Sequence, residues 1–147
     1  MSSRIKVFYF VPTLEQGGAE RQVLELVRRL PARFEPVLCL YEARIHYRDL
    51  LPPDQPRHVL GSGRMTLASF SSLVEAMRAE RPHIVHCYLD RANLWGRLAA
   101  LGAGVPVIIS SCRARMMEPQ FLLVERALCE HCQQVVVNSV GVQRELT

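Results

Sequence analysis

Much of what this chain does not contain bears on its chemistry. Its 147 residues include a single lysine, Lys6, against 17 arginines, and a single tryptophan, Trp95. The apolar run near the start, Val7 to Pro12, is too short for the core of a secretion signal. No stretch approaches the roughly 20 apolar residues that cross a bilayer. A cytoplasmic protein is therefore expected, with peripheral contact at the inner face of a membrane left open. The dinucleotide fingerprint G-x-G-x-x-G is missing, and so is G-x-x-x-x-G-K-[ST], because Lys6 precedes the first strand; P-loop chemistry is excluded. There is no G-x-S-x-G elbow for a nucleophilic serine.

Cysteine usage is equally restrictive. Cysteines at 39, 87, 112, 129 and 132 make an odd count without a secretion signal, which argues against a disulfide framework. Cys129-Glu130-His131-Cys132 lacks a second ligand pair at zinc-site spacing. Gln133 stands where haem attachment needs histidine. In a helical pattern with Phe121, Val124 and Leu128, the two thiols read as half-buried packing, and no metal is expected.

What is present describes a folded domain. The chain is 49% hydrophobic and 22% charged, and one ordinary domain spans residues 1–147. Net charge is 18 − 14 = +4, but the basic residues are scattered, with no run longer than Arg28-Arg29. Aromatics do not interleave with them as on a single-strand stacking platform, so nucleic acid is not an expected partner. Phosphorylated small molecules or an anionic membrane face account for the surplus.

Hydrophobic spacing alternates between two periods. Strands are expected at Ile5–Val11, Pro36–Tyr41, His58–Leu60, His83–Cys87, Val105–Ser110 and Val135–Asn138. Helices are expected at Ala19–Leu30, Leu67–Arg81, Ala92–Leu101, Glu118–Cys132 and Gly141–Leu146. Residues 45 to 56, with Pro52, Pro53 and Pro56, read as irregular. Such alternation predicts an α/β fold, a Rossmann-like parallel sheet with helices on both faces. Runs such as "VPVII" and "QVVV" suit strands buried on both sides.

Ligands of such sheets bind at the carboxyl ends of the strands. That rule selects "PTLEQGGAERQV", residues 12 to 23, where Gly17-Gly18 opens a helix. A helix start offers unpaired N–H groups and partial positive charge, and glycine lets phosphate oxygens approach the backbone. A tight turn is the plainer explanation, and spacing alone does not separate the two. The same rule selects His86, Tyr88, Asp90, Arg91 and Asn93 after the fourth strand, and Arg113 and Arg115 after the fifth. His86 is equally read as a core histidine, Asp90 and Asn93 as caps of the next helix, and the two arginines as solvated charges. Glu42, ending the second strand, stands where a ribose-binding acid would, which keeps a nicotinamide-dependent oxidoreductase as an alternative. A non-catalytic α/β binding module is another.

The stretch "IKVFYFVPTLEQGGAERQVLELVRRL" resembles the opening of family 4 retaining glycosyltransferases of the GT-B fold, in which "GGAE" follows the first strand. "RPHIVHCYLDRANLWGRLAALGAGVPVIISS" resembles their central strand–helix–strand, and "VVVNSVGVQREL" their strand leading into "NS" and a helix. The resemblance implies the N-terminal half of a GT-B enzyme that moves a sugar from a nucleotide sugar, commonly a UDP- or GDP-sugar, to a glycan, lipid-linked or small-molecule acceptor. By the same resemblance Gly17 and Gly18 face the donor diphosphate. His86, Tyr88, Asp90, Asn93 and Arg113 line the acceptor side, and no metal cofactor is required. No residue is assigned as catalytic, since the donor's phosphate assists the acceptor. Many members carry a histidine after the fifth strand; "SSCRARM" has Arg113 there instead. The C-terminal nucleotide-binding domain is not represented in these residues, so the chain alone is expected to be inactive and to tend to self-associate.

Overall fold

The computed structural model describes residues 3–61, 63–113 and 119–146. Six parallel strands form one sheet: β1 (Ile5–Val11), β2 (Phe34–Leu40), β3 (Arg57–Val59), β4 (Ile84–Tyr88), β5 (Val107–Cys112) and β6 (Gln134–Val137). Their order is β3-β2-β1-β4-β5-β6. The chain therefore runs outward from β1 to one edge, returns, and fills the other edge from β4. Between β1 and β4 the order reverses, and crevices open at such a switch point.

β1 anchors the sheet because it is apolar on both sides. Val7, Tyr9 and Val11 pack with Leu38 and Leu40 of β2 against Val23, Leu24 and Val27 of α1 (Gly18–Arg29). Phe8 and Phe10 face the opposite core with Val85 and Cys87. Leu73 and Met77 of α2 (Leu67–Glu80) and Ala92, Ala99 and Ala100 of α3 (Asp90–Ala103) close that side. α4 (Pro119–Cys129) lies against α3, and the short α5 (Val140–Leu146) follows β6. Helices thus cover both faces, as the sequence pattern predicts.

Local chemistry sets the boundaries. On α1, Glu25 pairs with Arg28 and Arg29 at i,i+3 and i,i+4, away from its apolar stripe; Pro31 follows its end. α2 begins with a reciprocal cap, Ser69 N–H donating to Thr66 Oγ1 at 3.1 Å and Thr66 N–H to Ser69 Oγ at 2.7 Å.

Some expected boundaries move. β2 starts at Phe34 because β1 is paired with it from Ile5 onward. α3 starts at Asp90, not Ala92, because Leu89 adopts φ 73° and turns the chain sharply after β4. α4 ends at Cys129, not Cys132; His131 and Cys132 donate three residues back, to Leu128 and Cys129, and the last turn tightens. The expected helix start at Glu118 and the side chain of Arg115 lie outside the described residues. The proline-rich loop contains one 3-10 turn, Arg48–Leu50.

α3 reaches the sheet through Gly96. A Cβ placed there would stand 2.8 Å from Phe10 Cδ1 and closer still to Cys87 Sγ, so the helix approaches β1 and β4 at backbone distance. Gly96→Ala is expected to lower stability by about 1–3 kcal/mol through overpacking. Gly102, on the same helix, has open space at its Cβ. Gly102→Ala should therefore raise stability by up to about 1 kcal/mol. Thermal or denaturant melting of both variants checks the contrast; equal effects would remove the close-approach account.

Candidate active site at the carboxyl edge

Three groups of residues meet the carboxyl ends of the strands. The first is the start of α1. Gly17, its cap, is extended (φ −159°, ψ 157°) and has no side chain to close the helix end. Neither Gly17 nor Gly18 has positive φ, so the turn does not demand glycine at either position. A Cβ on Gly17 would fall on the flexible Glu20 carboxylate, and one on Gly18 would meet nothing within 4 Å. The space in front of Gly18 is open on the protein's side.

The second group converges on Ser111 at the ends of β4 and β5. His86 Nε2 lies 2.8 Å from Ser111 Oγ, and its ring is 4.3 Å from that of Tyr88, centroid to centroid. Burial, assisted by the Arg113 charge, pushes the His86 imidazole down to about 4, so it is neutral at physiological pH. Arg113 places its guanidinium carbon 5.8 Å from the Tyr88 ring centre, a cation–π distance. Its backbone carbonyl accepts from Asn138 Nδ2 at 3.0 Å, while its Nε is buried without a hydrogen-bond partner. Burial raises the Tyr88 phenol, which keeps it a donor.

Asp90 and Asn93 stand in the first turn of α3. Asn93 is fully buried and donates through Nδ2 to Ser111 O at 3.0 Å, which ties α3 to the end of β5. Neither Asp90 nor Asn93 caps α3; Leu89 occupies the cap position, and no side chain bonds the helix start. Asp90 is half-buried, and desolvation together with the nearby Glu125 raises its carboxyl.

Behind this group lies a network that the sequence reading did not single out. Arg97 and Glu125 form an ion pair through Nη2 and Oε2, the arginine with no exposed side-chain surface. Arg97 Nε donates to Asn93 O at 2.8 Å, and Nη1 approaches Cys129 and Cys132 Sγ at 3.7 and 3.9 Å. Glu125 Oε1 accepts from the Cys112 thiol at 3.5 Å. One signal was available: Arg97 sits on the small-residue stripe Ala92, Gly96, Ala99, Ala100, four residues after Asn93. Burial raises the Cys112 and Cys129 thiols, and they stay protonated. All five cysteines are free. Among the described residues, no three histidine, cysteine or acidic side chains are placed to hold a metal, and no helix is long and apolar enough to cross a membrane.

The third group surrounds a cavity of about 260 Å³ lined by Pro12, Thr13, Tyr41, Glu42, Arg44, Gly63 and Arg91. Glu42 Oε2 is 2.6 Å from Arg44 Nε, and Arg44 Nη1 also reaches Glu15 at 3.5 Å. The acid that would bind ribose in a nicotinamide enzyme is thus held on one side by its own arginine.

A neutral histidine in the fold that is cationic when unfolded makes stability depend on acid. Between His86's ordinary value of 6.5 and about 4, the unfolded chain binds the extra proton, so stability rises with pH there. Lowering pH through that window should cost up to about 3 kcal/mol, and His86→Gln should flatten the slope. Melting curves from pH 4 to 7 on both proteins measure it; identical slopes would show that His86 titrates normally.

Comparison with known proteins places this geometry. The Glycosyltransferase Family 4 profile matches residues 16–147. The crystal structure of Anabaena Alr3699/HepE in complex with UDP and glucose superposes with a TM-score of 0.76 at 15% identity, over 97% of this chain and 40% of that one. The same protein in complex with UDP-glucose gives 0.72 at 15% identity, with the same coverage. A Listeria monocytogenes structure assigned as a UDP-N-acetylglucosamine 2-epimerase gives 0.69 at 14% identity, over 98% of this chain and 42% of that one. The chain thus spans about 40% of the length of these solved structures, and no curated protein matches it. The sheet order, the glycine-opened helix after β1 and the profile match agree: the chain belongs to Glycosyltransferase Family 4.

Proposed function

We propose that this chain is the acceptor-side domain of a retaining glycosyltransferase that uses a nucleotide sugar. The observation that carries the reading is the start of α1. A helix opens beside the switch point with no side-chain cap and no Cβ at Gly17 or Gly18. Nothing in the backbone angles requires glycine there. An anion with oxygens small enough to reach the first N–H groups accounts for both facts.

In this reading the first turn of α1 steadies the diphosphate as it departs from the sugar's anomeric carbon. The acceptor hydroxyl oxygen forms its bond on the face that the diphosphate leaves, and its proton passes to a departing phosphate oxygen. Positive charge comes from the helix start and Arg113, so the reading calls for no metal. Neutral His86 shapes the wall through Tyr88 without adding charge, and Arg113, in the place of the family's histidine, offers donors to a phosphate or an anionic acceptor. The nucleotide itself is held by a second α/β domain, as the 40% coverage of the solved structures suggests. The chain by itself should turn over no nucleotide sugar and bind UDP-glucose no tighter than about 1 mM.

Gly18 separates this proposal from a merely structural role. Because its Cβ position is open, Gly18→Val should leave the melting temperature nearly unchanged. In the two-domain enzyme the same variant should lose transfer by about 100-fold or more, with Gly18→Ala intermediate. Rates and melting curves on the same samples provide the measurement. A folded Val variant with normal turnover would overturn the diphosphate assignment, as would repeated turnover by the isolated chain.

A further inference from the structure

The cavity beside β1 and β2 is assigned no role by the diphosphate reading, and its chemistry is specific. Its volume of about 260 Å³ falls just below the range of about 300–1,000 Å³ typical of drug-sized ligands, so it suits one ring. It lies at the carboxyl ends of β1 and β2, where Pro12 and Thr13 follow one strand and Tyr41 and Glu42 the other.

Its charges are not equivalent. Arg44 is shared between Glu42 and Glu15 and is neutralised within the protein. Arg91 also lines the cavity, and no acidic side chain pairs with it among the described residues. Its backbone is fixed: the Tyr41 hydroxyl donates to Arg91 O at 3.4 Å, and burial raises that phenol so that it remains a donor. Glu42 keeps Oε1 turned to the cavity wall at Gly63, where a Cβ would strike that oxygen. The site therefore offers a planar cation, a carboxylate oxygen with spare acceptor capacity, and the Thr13 hydroxyl. A carboxylate accepts from ring hydroxyls, while a guanidinium binds phosphate or carboxylate in two-pronged fashion.

We infer that this cavity is a subsite for a single sugar ring bearing an anionic group, with Arg91 on the anion and Glu42 and Thr13 on ring hydroxyls. The inference rests on the glycosyltransferase reading in that it names the class of acceptor: an anion-bearing sugar. A neutral sugar would leave Arg91 unused, and a bare inorganic anion would leave Glu42 unfavourably close.

The test uses the isotopically labelled chain, with backbone amide shifts followed during titration with four probes: glucose 6-phosphate, glucuronate, glucose and inorganic phosphate. At least one of the two anionic sugars should move the amides of Thr13, Glu42, Gly63 and Arg91 and bind about tenfold tighter than glucose or phosphate. Which of the two does so tells phosphate from carboxylate. Arg91→Gln, at an exposed side chain, should keep the melting temperature, abolish that tenfold advantage and leave glucose binding unchanged. Equal binding of glucose and the anionic sugars would overturn the inference. So would phosphate alone matching glucose 6-phosphate, absence of shifts at these amides, or an Arg91→Gln chain that binds as the wild type does. The outcome is independent of the donor assay: normal turnover by Gly18→Val with intact ring binding removes the diphosphate assignment and leaves the subsite, and the converse removes only the subsite.

Discussion

The carboxyl edge of this domain depends on one buried ion pair. Removing a guanidinium and a carboxylate from water costs several kcal/mol per ion, and attraction offsets that only when the remaining donors and acceptors are satisfied. Arg97 meets the condition through four partners: Glu125, the Asn93 carbonyl and two cysteine sulfurs. Glu125 meets it with the Cys112 thiol on its second oxygen. The pair joins α3 to α4, and the thiols join both to the ends of β5 and of α4. From there the order propagates outward. Asn93, gripped by Arg97 through its carbonyl, donates its side-chain amide to Ser111 O, and Ser111 Oγ meets His86. A residue at the crevice wall is thereby registered against a pair of charges in the core.

Sulfur is well suited to this position. A thiol is small, apolar enough to pack against the core, and still a weak donor and acceptor. Burial keeps the Cys112 and Cys129 thiols protonated, so they complete the shells of Arg97 and Glu125 without adding charge. The same burial argues against nucleophilic work, because the thiolate is the reactive form. The close Cys129–Cys132 spacing thus has a structural explanation in a shared guanidinium nitrogen.

The parts of the fold legible in the sequence are those that depend on one segment at a time. β1 reads correctly because Val7 to Val11 is apolar on both faces, which only a central strand of a covered parallel sheet permits. α2 starts at Leu67 as its spacing predicts, and Gly17-Gly18 stands at a helix mouth for the same local reason. The limits of α3 and α4 were less legible because they follow from the positive φ of Leu89 and from a tightened last turn, and neither has a periodic signature. Arg97 and Glu125 are 28 residues apart, on helices each amphipathic in its own right. Their pairing exists only after α3 and α4 pack, so an arginine on a small-residue stripe was the sole trace of it. The cavity at Arg91 is likewise composite, drawn from the ends of two strands, a loop and a helix. The burial of Asn93 has no local signature either, because it follows from the packing of α3 against the end of β5.

The bias of 17 arginines to one lysine becomes intelligible at these places. Lys6 acts as a point charge beside Glu80, at 2.9 Å, and Glu35. The arginines at the carboxyl edge do what an ammonium cannot. Arg97 distributes a planar fork over a carboxylate, a carbonyl and two sulfurs; Arg113 lies over the Tyr88 ring; Arg44 spans Glu42 and Glu15. A guanidinium as a class keeps its charge under desolvation that would strip a lysine of its proton. Positive charge packed at such a sheet edge has to survive desolvation and hold a direction. That requirement selects guanidinium groups, leaves His86 neutral among them, and spreads the cations along the crevice instead of into one basic patch.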